Sequence, residues 1–281
     1  GKGVEVLRSA RRDALDADAS DVRPEHRDKL AQRYVQDLLL LDGHKFDLRV
    51  YWLVASTAIP LVLYHDGTLR VSLEKFFDRT SNASKGQHLT NAAQQKGGHD
   101  AKRSNEASRR PMAALWRLLD DKTKKSTVFG DRANGSTDDA RPFSTTTTTT
   151  PKDPRAKVEC DVRRAIAAVW LAFEPHFREV RRADAAAGKP DDGFVLFGCD
   201  VMLDARLRVY VSEIQSGPGL PTNTAAVRDL MATLIPAVAD LATHLHASEN
   251  RTRRSHPDWW RRHPPPLGTF DVLVNGSDVL P

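Results

Sequence analysis

The stretch FVLFGCDVMLDARLRVYVSEIQSGPGL, Phe194 to Leu220, decides how the fold of this chain is read. An apolar run, Phe194 to Phe197, leads to Asp200, a polar turn follows at Asp204 to Arg206, and Leu207 to Ile214 then carries Glu213. Leu207, Val209 and Val211 alternate with Arg208, Tyr210 and Ser212, the period-two pattern of a half-buried strand, and the connection is short enough for an antiparallel hairpin. Asp200 and Glu213 then lie near the ends of paired strands and can face one another. Such a pair suits a divalent cation that holds nucleotide phosphates, because Mg2+ takes oxygen ligands and completes its shell from phosphate and water. Equally, strand-end carboxylates are commonly just solvated.

Upstream, Ala31 to Leu41 reads as an apolar run across a sheet edge, Asp42-Gly43 as a turn and Phe46 to Val54 as a strand. Lys45, Asp47 and Arg49 recur at spacing two and share one face, with Phe46, Leu48 and Val50 on the other. The charged row is either a solvated outer face or a polar wall where Lys and Arg meet phosphate or carboxylate. Pro60 to Tyr64, His65-Asp66-Gly67 and Thr68 to Leu73 predict a second hairpin turning at Asp-Gly, with Arg70 on its return strand. Ser81 to Gln95 reads as a polar loop holding His88-Leu89-Thr90-Asn91, with neither HxH nor HExxH spacing nearby.

Further along, Gly97 to Arg110 is charged and loop-like, Met112 to Leu119 predicts a short amphipathic helix, and Lys122 to Pro154 is low-complexity sequence with a threonine run at Thr145 to Thr150. Val158, Val162, Ile166, Val169, Trp170 and Phe173 predict one apolar face of a helix ending near Pro175. A second helix is predicted over Thr222 to His244, with apolar Val227, Leu230, Met231, Leu234, Ile235 and Val238 and a kink or break at Pro236. The basic aromatic cluster Trp259-Trp260-Arg261-Arg262 reads as a docking or packing tail, with base stacking as the alternative.

The chain has 281 residues, 40% hydrophobic and 28% charged, which is long enough for a real core and a soft prior of two domains. Its formal net charge of +5 favours an acidic partner of some kind. Cys160 and Cys199 lie far apart and make no CxxC, so neither a zinc site nor a disulfide framework is indicated. Val50 to Tyr64, the longest apolar stretch, is broken at Ser56, Thr57 and Pro60 and is too short to span a bilayer. The opening Gly1-Lys2-Gly3 reads as the end of a glycine-containing loop whose backbone N–H groups could approach phosphate, or as a flexible terminus.

Taken in order, these segments resemble the tubulin–tyrosine ligase-like family. The residues that carry the likeness are Gln32-Arg33-Tyr34-Val35, Lys45-Phe46-Asp47-Leu48-Arg49, Arg70, His88-Leu89-Thr90-Asn91, Glu174-Pro175-His176, Gly198-Cys199-Asp200 and Glu213-Ile214-Gln215. The resemblance implies an ATP-grasp fold, α/β in the α+β sense, with a mostly antiparallel sheet flanked by helices and its amino-terminal part missing. It divides the chain into 1–41, a remnant of the central domain; 42–245, the carboxy-terminal ATP-grasp domain with a low-complexity insertion over about 98–156; and a tail, 246–281.

The same resemblance implies an ATP-dependent ligase that adds glutamate, tyrosine or glycine to a protein carboxylate through an acyl phosphate. The acceptor would be the acidic tail of tubulin and the cofactors ATP and Mg2+. Gln32, Arg33, Tyr34 and Val35 would line the adenine, with Lys2, Lys45, Asp47, His88, Leu89, Thr90 and Asn91 also on the nucleotide side. Lys45, Arg49 and Arg70 would serve catalysis, Asp47, Arg49 and Arg70 facing the amino acid or acceptor carboxylate, and Asp200, Glu213 and Gln215 would hold the metal. The family has Asn where this chain has Gln215. Partners would be tubulin and a free amino acid, without nucleic acid or a membrane span. The protein would be a monomer in the cytoplasm, associated with cytoskeleton or cilium. A non-catalytic nucleotide- or microtubule-binding relative is the alternative.

Overall fold

Central to the fold is β2, His44–Ser56, a strand so apolar past Arg49 that it must be covered on both sides. The computed structural model describes residues 32–57, 59–77, 85–90, 105–130, 153–188, 194–247, 259–276 and 278–279. One antiparallel sheet holds β1 (Leu40–Leu41), β2, β3 (Leu61–Lys75), β4 (Arg109–Pro111), β5 (Val195–Leu203), β6 (Val209–Ser216), β7 (Asp271–Asn275) and β8 (Asp278–Val279). The strand order is β6-β5-β2-β3-β7-β8, with β1 beside β2 and β4 beside β3.

Helices flank the sheet: α1 (Lys85–His88), α2 (Ala113–Gly130), α3 (Pro154–Ala186), α4 (Ala225–His246) and α5 (Trp259–Arg262). One face of β2, Phe46, Leu48, Val50, Trp52 and Val54, packs with Leu115 and Leu119 of α2 and with Val158, Val162, Ile166 and Trp170 of α3. The other face, Tyr51, Leu53 and Ala55, packs with Val227, Met231, Leu234, Ala237, Leu241 and Leu245 of α4 and with Trp260. Each buried aliphatic side chain in these layers contributes roughly 1.5–3 kcal/mol of transfer free energy. The two long helices start where side chains can satisfy free backbone donors. Asp153 accepts from Ala156 N–H at 2.9 Å with Pro154 directly behind it, and Thr224 Oγ1 accepts from Val227 N–H at 3.4 Å.

This is the α+β architecture the resemblance implies, and it corrects several local expectations. No hairpin turns at Asp66-Gly67, because β3 runs unbroken from Leu61 to Lys75 and pairs with β2 along its length. The turn lies before β3, and Asp66-Gly67 is a bulge within it. Two residues there oppose Val50 alone, and a Cβ on Gly67 would fall 1.7 Å from the Arg49 carbonyl oxygen. Helix α3 does not stop near Pro175 but continues to Ala186, with the Glu174–Arg178 ion pair, 2.6 Å, spanning the proline. Phe173 is 50% exposed, and the apolar stripe runs instead through Trp170 to Phe177, whose rings stack at 5.5 Å.

Helix α4 likewise runs through Pro236 as one helix, with Ile235 exposed. Within 98–156, β4 belongs to the sheet and α2 extends the predicted helix to Gly130, so the loop reading of Gly97 to Arg110 fails from Asn105, where a helical turn precedes β4. The carboxy-terminal stretch is no appendage. Trp260 is 1% exposed, its Nε1 donates to the Ile59 carbonyl at 2.9 Å, and β7 pairs with β3. Burial of Trp260 takes one of the two rings out of any base stacking, and the other, Trp259, is half-buried and already stacks on His263 at 3.9 Å.

Candidate active site: a charged cluster built by two bulges

On β2 the apolar row Tyr51, Leu53, Ala55 continues towards the strand start as Arg49, Asp47 and Lys45. These are not solvated. Lys45 is 8% and Asp47 4% exposed, so the charges must be balanced within the fold. Partners come from the neighbouring strands in register: Asp47 opposes Arg70 of β3, Arg49 opposes Asp200 of β5, and Asp200 opposes Glu213 of β6.

The two outer contributions depend on bulges. Below Asp66-Gly67, Val62 and Tyr64 face the α3 side; above it Leu69 and Val71 do. Parity has therefore reversed, and Arg70 lands on the Asp47 face instead of in the core. On β6 the same occurs at Ser212. Val211 opposes Val201 and Glu213 opposes the adjacent Asp200, leaving Ser212 as the extra residue, with its hydroxyl donating to the Asp200 carbonyl at 3.0 Å. Uninterrupted alternation from Val209 and Val211 would have driven Glu213 and Gln215 into the apolar cluster. The bulge turns both onto the face of Asp200.

The resulting ion network is compact. Arg49 Nε donates to Asp200 Oδ1 and Arg70 Nη2 to Asp200 Oδ2, each at 2.5 Å, while Arg70 Nε donates to Asp47 Oδ1, also at 2.5 Å. The Thr90 hydroxyl donates to the other Asp47 oxygen. Gln215, with its amide turned so that oxygen faces Arg49, accepts from Arg49 Nη1 and Nη2 at 2.7 Å. Gly198 makes room for this, since a Cβ there would lie 3.4 Å from Arg49 Nη1 and 2.9 Å from Pro218 Cβ. Although burial acts to lower it, the Arg70 pKa is raised by Asp47 and Asp200. The Cys199 thiol, pointing into the opposite core, is pushed up to about 12 by burial and by Asp200, which keeps it unreactive.

A second group adjoins the first. Lys45 Nζ lies 4.7 Å from the centre of the Tyr34 ring, and the Tyr34 hydroxyl shares a 3.0 Å hydrogen bond with His88 Nδ1. Burial, then Arg70, lowers the Lys45 pKa against an opposing pull from Asp47. Burial and Lys45 lower that of His88, which favours the neutral ring, and His88 Nε2 is buried with no partner among the described residues.

Thus the predicted residues Tyr34, Lys45, Asp47, Arg49, Arg70, His88, Thr90, Asp200 and Gln215 come together. Gln32 is exposed and donates to the Ser212 carbonyl at 3.4 Å, Arg33 is exposed, and Val35 and Leu89 are half-buried. Glu213 faces solvent beside Asp200. Lys2 and Asn91 lie outside the described residues.

Two members of the site escaped the sequence reading. Tyr51, 3% exposed, simply extends the spacing-two row of Lys45, Asp47 and Arg49, and that spacing could have found it. Arg109 gave no signal, because a three-residue strand is too short to show a period. It is the cross-strand partner of Arg70. Burial and Arg70 both lower its pKa.

Comparison with known proteins identifies the family. A sequence model described as the Tubulin-tyrosine ligase family matches residues 1–160. Similar proteins include a protein polyglycylase TTLL10 of Macaca fascicularis, 28% identical over 259 residues, which are 90% of this chain and 35% of that protein. The inactive polyglycylase TTLL10 of Homo sapiens is 26% identical over 89% of this chain and 31% of its own length. The tubulin polyglutamylase TTLL7 of Homo sapiens is 26% identical over 79% and 22%. The chain spans about a third or less of the length of these curated relatives. With a family match over more than half its residues, the chain belongs to the tubulin–tyrosine ligase family.

Proposed function

We propose that this chain carries the site of an ATP-dependent ligase that joins an amino acid to a protein carboxylate, the acceptor being the acidic tail of tubulin. The observation that carries the reading is the convergence of Lys45, Arg49, Arg70 and Arg109 with Asp47 and Asp200 on one sheet face, where only Arg49 and Arg70 are ion-paired among the described residues. Phosphates and carboxylates, the anions of such a reaction, are what the remaining cations suit. The relatives named polyglycylase and polyglutamylase support the same class of chemistry.

In that reaction an acceptor carboxylate oxygen displaces ADP from the γ-phosphorus of ATP. The amine of the added glycine, glutamate or tyrosine then attacks the acyl carbon, loses a proton and expels phosphate. The residues at the Tyr34 end fit the nucleotide. With Tyr34 donating to Nδ1, a neutral His88 would carry its proton on the unpartnered Nε2 and offer a buried donor beside the Lys45 ammonium. Residues 32–35 would lie along the adenine.

Asp200 and Glu213 offer oxygens of the kind Mg2+ takes when phosphates supply others, each Asp200 oxygen keeping a second lone pair beyond its arginine bond, whereas the Gln215 oxygen would have to give up an Arg49 bond to join them. When bound, the ion neutralises charge on the transferring phosphoryl group. Arg49 and Arg70 fix the orientation of Asp200, and Asp47 with Thr90 fixes Arg70. No helix among the described residues is long and apolar enough to cross a membrane, and the expected setting is the cytoskeleton or cilium, as a monomer.

The test incubates full-length protein with tubulin, ATP, Mg2+ and isotopically distinct amino acids and reads the tail peptides by mass spectrometry. ATP-dependent mass increments on tail carboxylates are expected. Nucleotide binding without incorporation would replace this reading with the second one, a non-catalytic nucleotide- or microtubule-binding relative. That reading has one motive in the structure, the occupation of both Asp200 oxygens by arginines, and one in the comparisons, a similar human protein named inactive.

A further inference from the structure

Arg49 and Arg70, the arginines that the family resemblance offers to a substrate, are each ion-paired inside the fold and spend part of their donors there. Arg49 gives Nε to Asp200 and both Nη atoms to Gln215, and Arg70 gives Nε to Asp47 and Nη2 to Asp200. Arg109 differs. The only hydrogen bond of its guanidinium among the described residues runs from Nη1 to the Ser108 carbonyl beside it, at 3.3 Å, although a guanidinium carries five N–H donors.

Its backbone is nevertheless fixed. Val71 N–H donates to the Ser108 carbonyl at 2.9 Å, Ser108 is 1% exposed, and both its N–H and its hydroxyl bond the Asn105 carbonyl. Position 109 is thus held directly opposite Arg70, and like charges in that relation are destabilising. The sheet tolerates the pair at a polar site whose internal carboxylates already serve Arg70 and Arg49. Tyr51 lies within the same electrostatic neighbourhood of Arg49, Arg70, Arg109 and Asp200.

We infer that Arg109 is the docking cation for a substrate carboxylate, binding it through its planar fork beside Arg70, while Lys45 serves the opposite, nucleotide end of the site. The inference rests on the ligase reading only for the identity of the carboxylate, which belongs either to a glutamate side chain of the acceptor or to the free amino acid. Anchoring by charge-assisted bonds does not require turnover.

The experiment measures binding by full-length protein of a fluorescent glutamate-rich peptide and, separately, of free glutamate and glycine, with a non-hydrolysable ATP analogue and Mg2+ present. Arg109→Ala is expected to weaken one carboxylate ligand by about 10- to 100-fold, the scale of a lost charge-assisted pair. Arg109→Lys should restore part of that, since it returns charge without the fork. Arg110→Ala, on the exposed neighbour, controls for damage to β4, and thermal midpoints of all variants check folding.

Selective loss for the peptide assigns Arg109 to the acceptor, and selective loss for the free amino acid assigns it to the donor. Unchanged affinity for both, an equal loss in Arg110→Ala, or no carboxylate binding by the wild type would overturn the inference. Arg109-dependent binding without ligation would remove the ligase reading and leave the anchor standing.

Discussion

The two halves of one face of β2 make an instructive pair. Tyr51, Leu53 and Ala55 meet the apolar side of α4, whereas Arg49, Asp47 and Lys45, on the same face of the same strand, meet charged or polar groups and the face of the Tyr34 ring. Both halves are buried, so solvation does not distinguish them. What differs is the source of cohesion. The apolar half is held by non-directional area removal, which tolerates modest rearrangement, and the charged half by a few directional pairs that fail if a single partner goes missing. Bulges flank the charged half and set which way its side chains point.

The contrast can be broken most forcefully at Asp200. Asp200→Ala leaves Arg49 and Arg70 short of a buried counter-charge and should cost about 3–5 kcal/mol in denaturant unfolding, with loss of any ligase activity. An unchanged midpoint would mean that the network is not the buried, interdependent unit drawn above. Next comes Gly67→Ala. Its Cβ would collide with the Arg49 carbonyl, and the strands must separate, at roughly 1–3 kcal/mol or more. The more diagnostic reading is a disturbed Arg70 position, since the bulge at Gly67 sets the parity of that residue; near-normal stability together with full activity would show that the bulge is dispensable.

A smaller effect is expected for Ser212→Ala, which removes only the hydrogen bond to the Asp200 carbonyl and should cost about 0.5–1.5 kcal/mol. A larger loss would mean that the hydroxyl, and not the strand pairing, holds the second bulge open.

The subtlest test is confined to acid and concerns the turn of the hairpin. Burial acts to raise the Asp204 pKa, but the backbone N–H and guanidinium of Arg208 and the N–H of Arg206 outweigh it and hold the carboxyl below its ordinary 3.8. A depressed folded-state value stabilises above the unfolded pKa, and that contribution is lost as pH falls through the folded one. Stability of the wild type should therefore drop on acidification below the ordinary aspartate value, and Asp204→Asn should flatten that drop. Parallel pH profiles for the two proteins would remove this account of the turn.

Much of the frame was legible in sequence because it rests on periodicity. Lys45, Asp47 and Arg49 at spacing two fixed a charged face, the four-residue spacing of Val158, Val162 and Ile166 fixed a buried helix, and Asp204 to Arg206 fixed a hairpin turn. Less legible were the signals with two physical meanings. Asp66-Gly67 is turn chemistry by composition, yet glycine serves equally where a neighbouring backbone comes too close for a Cβ, and only pairing with β2 chooses between them. Pro175 and Pro236 weaken a helix without obliging it to stop when packing on either side continues.

By itself, then, the sequence determined the residue types of the site and the elements that bear them: the cations and carboxylates of β2, β3, β5 and β6, and the antiparallel, helix-flanked class of the fold. Tertiary structure alone decided that these charges share one buried face. Side-chain direction along a strand depends on counting residues from a register, and each bulge adds one to the count, so Arg70, Glu213 and Gln215 point where pairing with neighbouring strands puts them and not where local alternation would. Arg109 shows the same limit from the other side. A three-residue strand has no period to read, and its place opposite Arg70 exists only once the sheet is assembled.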